Sequence, residues 1–128
     1  MTQVGPETPR KRILVIEDNE FNRDLLTQIL EDSYVIMQAL DGSEGLARAE
    51  QERPDLILMD FGMPKMDGWE ATRRIKAQPG LRHIPIIAIT SHAMVGDEQK
   101  AREAGCDDYM AKPIHEDELI AKIKRWIG

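Results

Sequence analysis

The amino-acid sequence predicts an α/β domain, a parallel sheet with helices packed on both faces. Two observations predict it. Five short apolar runs alternate with five stretches of helical spacing, and such alternation reads as strands joined by crossover helices. The first run, Ile13 to Ile16, is continuously apolar and mostly β-branched where a half-exposed strand would alternate, the pattern of a strand covered on both faces. A length of 128 residues suits one domain with its own core.

Residues 1–10 hold two prolines and a glycine and no apolar stretch. That predicts a flexible tail at 1–10, unlike a secretory signal, ahead of a domain at 11–128. Ile13-Leu14-Val15-Ile16 is the first strand. From Glu20 to Glu31, Phe21, Leu25, Leu26, Ile29 and Leu30 fall at helical spacing, with Asn19 as N-cap. Tyr34 to Ala39 is the second strand. Ser43 is expected to cap a second helix that runs to about Gln51 and buries Leu46 and Ala47. Leu56 to Met59 is the third strand. Asp67, with Glu70 three residues later, resembles a capping box for a third helix ending near Ala77. Ile86 to Ile89 is the fourth strand. A fourth helix spans about Val95 to Ala104 and stops at Gly105; poor in large apolar residues, it is expected to be loosely held. Tyr109-Met110-Ala111 is a weak fifth strand. Glu116 to Ile127 closes the domain with Leu119, Ile120, Ile123 and Ile127 toward the core.

Composition narrows the function classes. The net charge is −6, a poor footprint for direct nucleic-acid binding. No apolar run approaches the roughly 18 residues of a membrane helix. The single cysteine, Cys106, cannot form an internal disulfide, which fits a reducing, cytoplasmic compartment. Neither G-x-x-x-x-G-K-[ST] nor G-x-G-x-x-G occurs, so the usual nucleotide loops are absent.

The chemistry lies where the strands stop. Glu17 and Asp18 follow the first, Asp60 the third, Thr90 and Ser91 the fourth, Lys112 and Pro113 the fifth. In a parallel sheet these ends share one edge, where ligands of open α/β sheets bind. Three carboxylates together repel and need positive charge or a proton. Lys112 supplies one charge. Mg²⁺ is the natural second, since it takes carboxylates, water and phosphate oxygens. A carboxylate can also accept a phosphoryl group. Asp60, alone at its strand end, is the acceptor candidate, and the adjacent Glu17 and Asp18 are the candidate metal-holding pair. Lys112 and the Thr90 hydroxyl would meet the phosphoryl oxygens. Singly, each residue has an ordinary reading as a turn, cap or surface group; their meeting at one edge carries the inference.

Glu17-Asp18-Asn19, the run Asp60-Phe61-Gly62-Met63-Pro64-Lys65-Met66-Asp67-Gly68, Thr90-Ser91 and Lys112-Pro113 resemble the signature of bacterial response-regulator receiver domains. The resemblance covers about Arg12 to Ile127. It implies a flavodoxin-like, doubly wound sheet of five parallel strands in the order 2-1-3-4-5, with five helices. It implies that Asp60 takes a phosphoryl group from a phosphohistidine. Asp18, Asp60 and the backbone carbonyl of Gly62 would bind Mg²⁺, with Glu17 acting through water. Lys112 would contact the phosphoryl group, and Pro113 would follow it in a cis peptide. Thr90 and Tyr109 would be the switch pair, signalling through the face of the fourth helix, fifth strand and fifth helix.

The implied partners are a sensor histidine kinase or histidine phosphotransfer protein and a downstream effector protein. No direct contact with nucleic acid or membrane is implied, and the chain would be a monomer or a phosphorylation-dependent homodimer. It would not be a turnover enzyme beyond its own phosphorylation and slow dephosphorylation. The end at Gly128, after the fifth helix, predicts a regulator acting by contact, or a receiver from a hybrid kinase. Hybrid-kinase receivers resemble it in Asn19-Glu20-Phe21-Asn22 and Gly105-Cys106-Asp107-Asp108-Tyr109.

Three positions depart from the family pattern: Glu17 where Asp is commoner, Gly62 where a polar side chain is frequent, and His92, two after Thr90. The last two lie where the family tunes hydrolysis of the acyl phosphate. The rival is a haloacid-dehalogenase-type phosphohydrolase, which usually has a second Asp two residues after its nucleophile; here that residue is Gly62.

Overall fold

The computed structural model describes residues 10–61, 68–90 and 97–128. Among them the chain runs β1 (Arg12–Ile16), α1 (Glu20–Leu30), β2 (Val35–Ala39), α2 (Gly42–Glu52), β3 (Leu56–Asp60), α3 (Gly68–Lys76), β4 (Ile86–Thr90), α4 (Asp97–Ala104), β5 (Asp108–Ala111) and α5 (Glu116–Ile127). The strands form one parallel sheet in the order β2-β1-β3-β4-β5. This is the doubly wound fold that the sequence predicts.

Alternation along each strand separates two cores. Leu14, Ile16, Ile57 and Met59 turn to one face and meet Ala49 of α2, Ile75 of α3 and Ala101 of α4. Ile13, Val15, Leu56 and Leu58 turn to the other and meet Leu26 and Leu30 of α1 with Leu119 and Ile123 of α5. β3 and β4 are buried at every position, which explains their unbroken apolar runs. Each large aliphatic side chain so buried contributes about 1.5–3 kcal/mol by leaving water.

Local expectations hold in part. Asn19 caps α1, its side chain accepting the Asn22 N–H at 2.9 Å. α2 is capped by Asp41, not Ser43: the Asp41 carboxylate accepts the Glu44 N–H at 2.8 Å. A carboxylate there also complements the helix dipole. The buried stripe of α2 is Gly42, Gly45 and Ala49, with Leu46 half-buried; Ala47 lies off that stripe and is exposed. Phe21 is not buried as expected but is 74% exposed. α1 begins at the carboxyl edge of the sheet, and its packed stripe starts a turn later with Leu26 and Leu30. Tyr34 precedes β2 rather than opening it, although its ring joins the core.

Asp67 and Val95, expected at the starts of the third and fourth helices, lie outside the described residues, as does most of the tail. α4 stops at Gly105, whose φ of +113° is one that glycine takes without strain.

The amino edge of the sheet is stapled by carboxylates. Asp55 accepts the Arg12 N–H at 2.8 Å. Asp107 accepts the Ile86 N–H at 2.9 Å and the Lys76 ammonium at 2.8 Å. These bonds satisfy amides where strands begin and fix the strands whose opposite ends carry the site.

Candidate functional site

The register brings the strand ends together: Ile16 lies beside Met59, Asp60 beside Ile89 and Thr90 beside Ala111. Hydrogen bonds continue one residue further, from Glu17 N to Ala39 O at 3.0 Å and from Lys112 N to Thr90 O at 2.7 Å. The result is an acidic pocket at the carboxyl edge. One carboxylate oxygen each from Glu17, Asp18 and Asp60 lies within 4.8 Å of the others. Lys112 Nζ stands 3.2 Å from Glu17 Oε1 and 3.8 Å from Asp60 Oδ1. Glu17 and Asp60 are buried, at 1% and 6% exposure, whereas Asp18 is exposed. Thr90 is buried at the end of β4, and Tyr109 is half-buried against the core of α2, α3 and α4. The Lys112–Pro113 peptide bond is cis. Gly62, Ser91 and His92 lie outside the described residues.

Electrostatics sets the character of the pocket. Glu17 is pushed up to about 7, first by burial and then by the hydrogen bond and negative charge of Asp60. Lys112 and the Asn19 N–H, 3.2 Å from Glu17 Oε2, pull the other way without winning. One lysine therefore does not neutralise the cluster. Three hard oxygen donors with excess negative charge fit a divalent cation of the Mg²⁺ type, and a phosphoryl group beside it.

Three surrounding features lie beyond what the sequence reading found. Arg23 of α1 donates from Nη1 to the carbonyls of Glu17 and Asp18. Phe61, next to Asp60, meets Trp69 of α3 edge to face at a centroid distance of 4.2 Å. Gly68 makes room for that ring, since a Cβ there would collide with Phe61. Asp108 of β5, buried, accepts from the Trp126 indole at 2.9 Å and from Lys122 at 3.1 Å on α5. Helical side chains lean toward the helix start, a rule that points an arginine early in α1 back over the turn. Trp126 and Lys122, four apart on one face of α5, carried no comparable signal.

A family model for the response regulator receiver domain matches residues 13–124. The chain belongs to that family, the receiver domains of two-component signalling, which are switches rather than conventional enzymes. It is 43% identical over 119 residues to the polar-differentiation response regulator DivK of Brucella anthropi, an alignment covering 92% of this chain and 97% of that one. Among solved structures, it resembles the receiver domain of a sensor histidine kinase from Pseudomonas aeruginosa PAO1, solved with magnesium in the active-site cleft. That match has a TM-score of 0.87 and 41% identity, covering 93% of this chain and 98% of the other. A chain of the complex between the Saccharomyces cerevisiae histidine phosphotransfer protein Ypd1 and the receiver domain of its downstream response regulator Ssk1 also matches. There the TM-score is 0.85 and the identity 27%, over 94% of this chain and 91% of that one. Among the described residues no helix is long and apolar enough to cross a membrane.

Proposed function

We propose that this domain, residues 11–128 behind a short tail, is a phosphorylation switch that accepts a phosphoryl group on Asp60 from a phosphohistidine. The observation that carries the reading is the meeting of Asp60 with Glu17, Asp18 and Lys112 at one sheet edge. In the transfer, an Asp60 carboxylate oxygen forms a bond to phosphorus as the bond from phosphorus to the donor imidazole breaks. The imidazole nitrogen leaves with the bonding pair. Lys112 and the Thr90 hydroxyl meet the phosphoryl oxygens. Asp18, Asp60 and the Gly62 carbonyl would hold Mg²⁺, with Glu17 acting through water. The ion would supply neutralising charge to the transferring group.

The donor is a sensor histidine kinase or a histidine phosphotransfer protein, consistent with the kinase receiver and the phosphotransfer complex among the solved relatives. The protein works in the cytoplasm and signals to an effector protein by contact, through the face of α4, β5 and α5. Thr90 and Tyr109 link that face to the pocket, and the phosphoryl group is later lost by slow hydrolysis. The test is phosphotransfer from radiolabelled phosphohistidine donors to the parent chain and to Asp60→Asn. Label is expected on the parent alone; label that survives in Asp60→Asn overturns the assignment.

A further inference from the structure

We propose that Arg23 is a positioning residue of the acidic pocket: its guanidinium fixes the turn that presents Glu17 and Asp18, and thereby sets divalent-cation affinity. The proposal rests on reading that pocket as a cation and phosphoryl site.

Arg23 lies early in α1, where side chains lean back toward the helix start. Its Nη1 donates to the Glu17 carbonyl at 3.0 Å and to the Asp18 carbonyl at 3.1 Å. Those carbonyls belong to the two residues whose carboxylates face the pocket. Rotating either peptide plane would swing a carboxylate away, and one cation holds both planes. Nε of the same side chain is buried without a hydrogen-bond partner among the described residues. The guanidinium is therefore seated by the turn and not by a site of its own making. At the other end of the connection, the Asn19 N–H holds Glu17 Oε2 while the Asn19 side chain caps α1. Arg23 and Asn19 thus both hold the turn, one through its carbonyls and the other through the Glu17 carboxylate.

The sign of the effect separates positioning from charge. As a mere positive charge, Arg23 repels a cation, and removing it would tighten binding. As a positioning residue it aids binding, and removing it loosens binding. Arg23→Met keeps the apolar stem and loses the donors; Arg23→Lys keeps the charge without the planar fork. Mg²⁺ alone is titrated calorimetrically into the full chain, at a temperature where urea unfolding shows every variant folded. Arg48→Ala, which removes a surface pair with Glu52, is the control.

Arg23→Met is expected to weaken Mg²⁺ binding about 10-fold or more, the usual cost of losing a group that orients metal ligands. Arg23→Lys is expected between it and the parent, and Arg48→Ala at the parent value. In metal-free protein the amide resonances of Asp18 and Asn19 should move in Arg23→Met and stay in place in Arg48→Ala. Parent-like or tighter binding by folded Arg23→Met overturns the role of Arg23 while leaving the pocket intact. A parent that binds no Mg²⁺ overturns the pocket reading, and the proposal with it.

Discussion

At the residue scale, Glu17 carries the clearest measurable consequence. Its carboxyl titrates near 7 in the folded chain instead of at its ordinary 4.5, because it is buried beside Asp60. A group whose pKa rises on folding binds its proton more tightly in the native state. The stability it contributes is complete below 4.5 and is lost as the pH rises through about 7. Urea unfolding should therefore show stability falling across that window, with a slope of at most about 1.4 kcal/mol per pH unit. Asp60→Asn removes the neighbouring negative charge and should flatten the slope. Mg²⁺ favours ionised Glu17, so its affinity should rise between about pH 6 and about pH 8, a trend calorimetry would detect. Glu17, Asp18, Asp60, Thr90 and Lys112 were legible because each ends a strand, and parallel strands place their ends together. Arg23 was only partly legible: the lean of helical side chains aims it back over the turn, but its partners are backbone carbonyls, which residue types do not mark.

At the scale of the element, β5 and α5 are joined by a polar clamp. Burial pushes the Asp108 carboxyl up, but the Trp126 indole, the Tyr109 N–H and Lys122 together leave it below its usual value. Asp108→Ala should cost about 1.5–3 kcal/mol in urea unfolding, the range for hydrogen bonds to a charged group. α4 is different. Among its described side chains the buried ones are Ala101 and Ala104, so little apolar surface holds it to the sheet. Its amides should exchange with deuterium well before those of β3, and equal protection would show that the loose packing has no dynamic effect. Gly105→Ala forces a side chain into a left-handed φ beside Lys76 and should cost about 1 kcal/mol or more. The stop at Gly105 was legible from residue type. The cap of α2 was not, because Asp41 and Ser43 are equally suitable types and only the path of the chain out of β2 selects Asp41.

At the scale of the whole molecule, the sheet has two edges with separate duties. Asp55 and Asp107 bind strand amides at the amino edge, and the acidic pocket sits at the carboxyl edge. In the proposed switch, phosphorylation is read out through β4 and β5, the strands that carry Thr90 and Tyr109. Turning such an equilibrium from mostly off to mostly on takes about 5.5 kcal/mol of differential stabilisation. Beryllofluoride with Mg²⁺ should shift amide resonances in α4, β5 and α5; shifts confined to the pocket would refute transmission through that face. The parallel sheet covered on both faces was legible in the β-α alternation and in the unbroken apolar runs of the central strands, whereas the strand order came only with the family resemblance. The exposure of Phe21 was not, because apolar spacing marks a helix stripe without saying where along the helix the sheet begins.

The two tryptophans stand at the two ends of that path. Trp69 touches the ring that follows Asp60, and Trp126 is tied to β5 through Asp108. The chain thus contains an optical probe at its input and another at its output. With either one replaced by phenylalanine, rapid-mixing fluorescence would time each end separately and reveal whether the outer face moves together with the pocket or lags behind it.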